Sequence, residues 1–516
     1  MRAWLERRGL FLAAVAAIAA LVVFAIAQGS AAEAFFSDAQ RRLAHATGWL
    51  QILIVNAVLG FLVWLALSRH AGRRLGGAEA RPEFSLVDWF GMLFAAGMGI
   101  GLLFYSVAEP VQHYASVDEF LGGDRPTSAR LAMEMTFLHW GLHPWGIYAL
   151  VGLCLGFFHF NFGAPLAFDA PLREVMSAPR VRRWGWLVNL FAVLGTVVGI
   201  ATSLGLGARQ ASAGIARLAG WQTSYELQLG VIVLVCGAAL VSVLAGVGAG
   251  IRRFSAANLV LAVGLMLFVL FSGETLFVLK AFGEHLGSYL DNLLSLATWN
   301  ETYTGTDWQS RWTIFYWSWW IAWSPFVGMF IARVSRGRTV REFILGVLLV
   351  PSLFNFLWMT VFGSNALYLD LFEGVALAEA VTAAPDESLY IFLDYLPLTG
   401  LAMGLAIVVI MIFFVTSADS GGLVVATLTS NGAEPSWRQR AFWTLAVGVV
   451  AAVLLRAGGL SALQSATITA GLPFGLLVFT LMPALARALA RTDPTAPENQ
   501  PLPALAKPSV PPDNRP

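Results

Sequence analysis

Apolar runs about as long as a bilayer is thick recur from one end of this chain to the other. They lie near residues 10–27, 49–67, 86–107, 130–157, 185–205, 227–247, 256–279, 311–332, 342–363, 398–418, 438–456 and 467–489. About 20 apolar residues cross the hydrocarbon core as a helix, and a helix satisfies its own backbone where no water can. The expectation is therefore an all-α polytopic membrane protein with roughly twelve transmembrane helices. Only 12% of the residues are charged, against 58% hydrophobic, which is about half the charged fraction of a soluble domain. A net charge of +1 spread over loops leaves no basic patch for nucleic acid. Cys154 and Cys236 both sit in apolar runs and read as structural, since two such residues make neither a disulfide framework nor a metal site. The first run follows Arg2, Arg7 and Arg8 like a signal peptide, but no small-residue cleavage pattern separates it from the second, so it reads as the first membrane helix.

Arginines set the orientation. Basic loops carrying Arg69, Arg73, Arg74 and Arg81, then Arg173, Arg180, Arg182 and Arg183, then Arg252 and Arg253, then Arg333, Arg336, Arg338 and Arg341 alternate with loops that are acidic or sparsely basic. The positive-inside rule puts the basic loops, and both termini, in the cytoplasm of a cell (inner) membrane. This divides the chain into two N-terminal helices (1–85), a first five-helix unit (86–280), a linker with a surface helix over 281–296 (281–310), a second five-helix unit (311–489) and a disordered cytoplasmic tail (490–516).

Four segments carry chemistry. The alternate glycines of Ala95-Ala96-Gly97-Met98-Gly99-Ile100-Gly101 interrupt the third span, and backbone unwound at membrane depth is tolerated where it lines a cavity or binds an ion; the competing reading is close helix packing through small residues. Trp317-Ser318-Trp319-Trp320-Ile321-Ala322-Trp323-Ser324-Pro325-Phe326 puts a cluster of indoles beside a proline break in the eighth span. Two breaks in corresponding spans of two five-helix halves point to an inverted-repeat transporter with its substrate at the midplane. Indole faces attract cations, quaternary ammonium above all; the competing reading is an interfacial aromatic belt. His139-Trp140-Gly141-Leu142-His143-Pro144-Trp145-Gly146-Ile147-Tyr148 adds Trp140, Trp145 and Tyr148 from a facing helix. His139 and His143 have zinc-pair spacing, yet no third ligand accompanies them and no transition metal is expected; they read as partners for backbone freed near Pro144. Phe413-Phe414-Val415-Thr416-Ser417-Ala418-Asp419 gathers hydroxyls and a carboxylate in an apolar helix. Thr416 and Ser417 suit a Na⁺ site or simple back-bonding to their own helix, and Asp419 suits a cap or an arginine pair.

Together, GMGIGLLFYSVAEP, HWGLHPWGIY, WSWWIAWSPFVGMFIARVSRGRTVREFILGVLLVP and VTSADS resemble the signatures of the betaine/choline/carnitine transporter family, over about Val87 to Leu489. The resemblance implies a fold similar to the broken-helix, five-plus-five inverted repeat of amino-acid symporters, preceded by two extra helices, as a homotrimer. It also implies that Trp140, Trp145, Tyr148, Trp319, Trp320 and Trp323, with Met98, surround a trimethylammonium group. Ala95, Met98, Phe413, Thr416 and Ser417 would hold one Na⁺. A second family Na⁺ site needs two threonines; Thr196 and Phe326 fit, but Ile200 stands in the second place and cannot ligate a hard cation. Gly101 replaces the acidic residue of the carnitine exchanger, the polybasic C-terminal segment of osmosensing members is missing, and SADSGG looks closest to choline importers. The expected function is import of choline or glycine betaine by alternating access, coupled to Na⁺ through one site with no other cofactor; the alternatives are a proton-coupled choline importer or an ion-independent exchanger of betaine-type substrates. A channel would need rings of like charge, and an enzyme convergent acid, base and nucleophile, neither of which these spans present.

Overall fold

The computed structural model describes residues 2–29, 31–97, 99–116, 124–245, 248–430 and 432–491. Met98 and the tail from residue 492, both of which carry expectations above, lie outside the described residues. Two long helices come first, α1 (Arg2–Gln28) and α2 (Ala31–Leu67), then the interrupted third span as α3 (Leu86–Gly97) and α4 (Ile100–Ser116). The fourth span is α5 (Arg125–Trp140) and α6 (Leu142–Phe162), followed by the short α7 (Asp169–Leu172) and the long α8 (Ala178–Ala219), α9 (Tyr225–Ala245) and α10 (Gly248–Ser272). The second half holds α11 (Thr275–Thr298), α12 (Trp308–Arg311), α13 (Thr313–Val334), α14 (Val340–Met359), α15 (Asn365–Leu371), α16 (Leu377–Ala383), α17 (Ser388–Leu393), α18 (Thr399–Thr429) and α19 (Trp437–Arg491). The chain is thus an all-α, multi-pass membrane protein.

Among the described residues, eight helices are long and apolar enough to cross a membrane, or nine if the bent pair of α10 and α11 is one span. The twelve apolar runs of the sequence are distributed differently. The third is split into two short helices, the eighth is α13, and the last two share α19, which kinks at Gly458 and Gly459. The surface helix is longer than the expected 281–296. It starts at Thr275, turned by 110° from α10, and its entry is fixed by Asn365, whose Oδ1 accepts from the Glu274 amide at 2.8 Å. Glu134 of α5 ties α11 down, accepting from the Ser288 hydroxyl and from Asn292 Nδ2 at 3.1 Å.

The proline in α13 does not break that helix as expected: α13 runs unbroken from Thr313 to Val334 with Pro325 inside it. A proline removes the amide that would bond the carbonyl four residues back, here Ile321. The Ser324 hydroxyl donates to the Ile321 carbonyl at 2.8 Å, so the orphan is satisfied and the helix continues.

The break falls instead in the fourth span, at Gly141 (φ −100°, ψ −127°). A Cβ there would stand 2.4 Å from Phe356 Cζ and 2.6 Å from the Phe137 carbonyl oxygen. Carbonyls freed at the end of α5 need donors in a medium without water. Asn355 Nδ2 donates to the Trp140 carbonyl at 2.8 Å and Trp320 Nε1 to the His139 carbonyl at 2.9 Å. At the polar end of α13, the loop before α14 pairs with the 68–77 loop: the Val340 amide bonds the Arg73 carbonyl at 2.7 Å and the Gly337 amide the Leu75 carbonyl at 2.8 Å. Arg338, buried over the Trp89 ring at 4.7 Å, donates to the Phe84 and Ser85 carbonyls and so ties the start of α3 to α13.

Gly141→Ala should destabilise the protein by about 1–3 kcal/mol, the usual cost of overpacking, whereas Gly230→Ala, where a Cβ meets nothing within 4 Å, should be neutral. Thermal unfolding of the two purified variants in detergent checks this; equal melting temperatures would mean that the α5–α6 break does not depend on glycine.

Candidate functional site

Rings from α5, α6 and α13 converge beside the Gly141 break. Trp140 meets Trp320 edge-on at 5.0 Å between centroids, Trp319 stacks on Trp320 at 4.7 Å, and Tyr148 faces Trp320 at 6.3 Å with Trp145 at 5.5 Å from Tyr148. Trp323 lies one turn further along α13, edge-on to Phe326 at 5.4 Å. An interfacial belt faces lipid, but these six side chains are only 1–6% exposed; the belt reading fits Trp184, Trp186, Trp221 and Trp437, which are exposed.

What fixes each ring differs. The Trp320 indole is held by the His139 carbonyl and the Trp140 indole by a carboxylate, Glu109 Oε2, at 2.6 Å. Trp319 Nε1, Trp323 Nε1 and the Tyr148 hydroxyl are buried without a hydrogen-bond partner among the described residues. Buried donors are normally paired, so these three are donors available to a polar group of a bound molecule. The interrupted third span approaches the same rings. A Cβ on Gly99 would lie 3.4 Å from Trp323 Cη2, and one on Gly101 only 2.7 Å from Trp319 Cη2 and 3.1 Å from Trp140 Cη2. Gly101 is therefore seated against the rings, leaving no room for a larger side chain.

The histidines do not serve freed backbone as expected. His139 Nδ1 bonds Glu109 Oε1 at 2.7 Å and its Nε2 faces Thr313 Oγ1 at 3.0 Å, while His143 Nε2 bonds Asn56 Oδ1 at 3.2 Å. His113 joins them, its Nε2 at 3.1 Å from Glu109 Oε1, and the Tyr316 hydroxyl donates to Oε2. Residue-by-residue reading missed Glu109, His113 and Tyr316, although a glutamate inside an apolar run was the available signal. Ligand atoms of Glu109, His113 and His139 lie within 4.8 Å of one another, a grouping that leaves His143 out. Both carboxylate oxygens are nevertheless already taken by four donors of the protein.

Of the expected ion ligands among the described residues, Ala95 lies on α3 and Phe413, Thr416 and Ser417 on α18. Ala95 is in the last turn of α3, where carbonyls lack intrahelical partners. On α18, Phe413 is buried and Thr416 and Ser417 are half-buried; the Thr416 hydroxyl lies 3.0 Å from the Ile412 carbonyl and 3.1 Å from that of Phe413. Ile200 is fully buried, its Cδ1 2.4 Å from where a Cβ on Gly421 would be, and the Thr196 hydroxyl back-bonds to Ala192 at 2.7 Å. The Ile200 side chain thus packs against α18 at Gly421. Asp419 pairs with Arg440 at 3.5 Å.

Residues 9–494 match the BCCT, betaine/carnitine/choline family transporter pattern. The chain belongs to this family. It is accordingly a membrane transporter and not an enzyme. The chain is similar to the glycine betaine transporter OpuD of Bacillus subtilis, 40% identical over 92% of this chain and 93% of that one. It is also similar to the high-affinity choline transport protein of Escherichia coli K12, 40% identical over 86% and 66%. An uncharacterized transporter of Haemophilus influenzae is 42% identical over 87% and 68%.

Since Gly101 abuts two cage rings, Gly101→Ala should displace them and weaken solute binding by about tenfold, roughly 1.4 kcal/mol. Gly404→Ala, in open space on α18, should leave binding unchanged. Isothermal titration or competition binding on the transporter reads both, and an unaltered affinity in Gly101→Ala would separate these rings from the solute.

Proposed function

We propose that this transporter imports a trimethylammonium solute, choline or glycine betaine, across the cytoplasmic membrane by alternating access. The observation that carries the reading is the convergence of buried indoles from α5, α6 and α13, two of them anchored through their N–H groups, beside three unpartnered donors. A methylated ammonium has no N–H to satisfy and is suited by ring faces. Its hydroxyl or carboxylate end suits the free donors and the amides at the start of α4, where a helix N-terminus attracts negative charge. Relatives named for glycine betaine and for choline support the class. Twelve spans in a five-plus-five inverted repeat after two leading helices, cytoplasmic termini and a homotrimer complete the proposal.

Na⁺ is the preferred coupling ion, held by Ala95, Met98, Phe413, Thr416 and Ser417 with no second ion at Ile200. A proton-coupled or ion-independent carrier is the second reading, favoured by the Thr416 hydroxyl being engaged with the Ile412 and Phe413 carbonyls. Uptake of labelled choline and glycine betaine into proteoliposomes, with Na⁺ and pH gradients imposed separately, tests both. One Na⁺ site predicts a Hill coefficient near one and loss of Na⁺ dependence in Thr416→Ala with Ser417→Ala. Two Na⁺ per solute would refute the argument from Ile200, and full uptake without Na⁺ would transfer the assignment to protons or exchange.

Replacing Trp320 or Trp323 by Leu keeps apolar bulk and removes the indole face, so each should lose ~1–2 kcal/mol, or about 5- to 30-fold in affinity. Unchanged binding in both single variants would remove the cage.

A further inference from the structure

Glu109 is fully buried on α4 and bonds four donors from three helices: His113 of α4, His139 and Trp140 of α5, and Tyr316 of α13. Its ion-pair partners among the described residues are the two histidines, with no lysine or arginine. His139 Nδ1 lies 2.7 Å from Oε1 and its Nε2 3.0 Å from the Thr313 hydroxyl. His113 Nε2 lies 3.1 Å from the same Oε1, and its buried Nδ1 has no partner among the described residues; a proton there would be an unsatisfied donor, which disfavours a charged ring. Trp140 and Tyr316 are neutral donors, so no permanently charged side chain faces this carboxylate in the membrane interior among the described residues. A carboxylate charge there is costly unless a cation compensates it.

The carboxylate also stands directly behind two rings of the aromatic assembly. Trp140 and Tyr316 both give their polar hydrogen to Oε2, and both rings face Trp320, at 5.0 Å and 5.7 Å between centroids. A ring whose N–H or O–H is donated to an anion gains electron density on its faces, and cation–π attraction depends on that density. We propose that Glu109 is the fixed counter-charge of the cage, a specificity-determining residue that makes it select a cationic head over a neutral one of the same shape. The role is electrostatic and acts through Trp140 and Tyr316. It rests on the reading that the solute carries a quaternary ammonium.

Pairs of probes that differ in charge alone test this on the full-length transporter. Choline is compared with 3,3-dimethylbutan-1-ol, its uncharged carbon isostere, and glycine betaine with 3,3-dimethylbutanoate. The measured quantity is the affinity ratio within the pair whose natural member the wild type binds. Glu109→Gln should lower that ratio by about tenfold while changing the affinity of the carbon isostere by less than about twofold. Equal weakening of both members would make Glu109 a structural residue and overturn the proposal. Where Glu109→Gln does not fold, Tyr316→Phe decides: it keeps the ring and removes one donor, a several-fold fall in the ratio supports the proposal, and an unchanged ratio overturns it. A wild type that binds neither natural solute fails the functional reading itself, an outcome distinct from an unchanged ratio.

Discussion

Where a helix is interrupted inside a membrane, the carbonyls it releases must find donors in the protein, because the surroundings offer none. The geometry of the aromatic site depends on that constraint. At Gly141 the chain stops α5 and restarts as α6, and the carbonyls of His139 and Trp140 are taken by Trp320 and Asn355 from α13 and α14. The bond that satisfies the backbone of the fourth span is therefore the bond that orients the central indole of the eighth. Only a residue without Cβ allows the close approach of Phe356 that lets Asn355 reach across.

A second set of polar contacts divides the rings into two kinds. Trp140 and Tyr316 are held by Glu109 and Trp320 by the His139 carbonyl, so their planes are fixed by directional bonds as well as by packing. Trp319, Trp323 and Tyr148 have no hydrogen-bond partner for their donors among the described residues and are placed there by packing. Ring faces that are fixed in advance can meet a cation without reorganisation, and free donors beside them can meet whatever polar group follows the cation. This is the form expected of small-molecule sites, mostly apolar with a few convergent polar groups.

Much of this was legible in the residues. Apolar run length gave the helical class, and Trp140, Trp145, Tyr148, Trp319 and Trp320 do lie together, because indoles beside glycine and proline in an apolar span are unusual in a lipid-facing helix. The misreadings have physical causes. Pro325 predicts a break from what it removes, but Ser324 immediately before it supplies a replacement bond that only the folded geometry reveals. Gly141 is one of 50 glycines, and its need for a bare backbone arises from Phe356, more than two hundred residues away. The Glu109 cluster draws on residues 109, 113, 139 and 316, so no local spacing announces it. His139 and His143, four apart, have the spacing of a zinc pair, yet each is taken up by a different partner. Met98 and the C-terminal tail carry expectations that the described residues do not reach.

The central claim is that the rings gathered at the Gly141 break receive the ammonium head of the solute. Determining the structure of the transporter with choline or glycine betaine bound tests it most directly. The account predicts the trimethylammonium group within about 6 Å of the Trp320 and Trp140 ring centroids, with the solute's polar end turned toward the free donors. A solute bound elsewhere, with these rings unchanged and in contact only with each other, would contradict it.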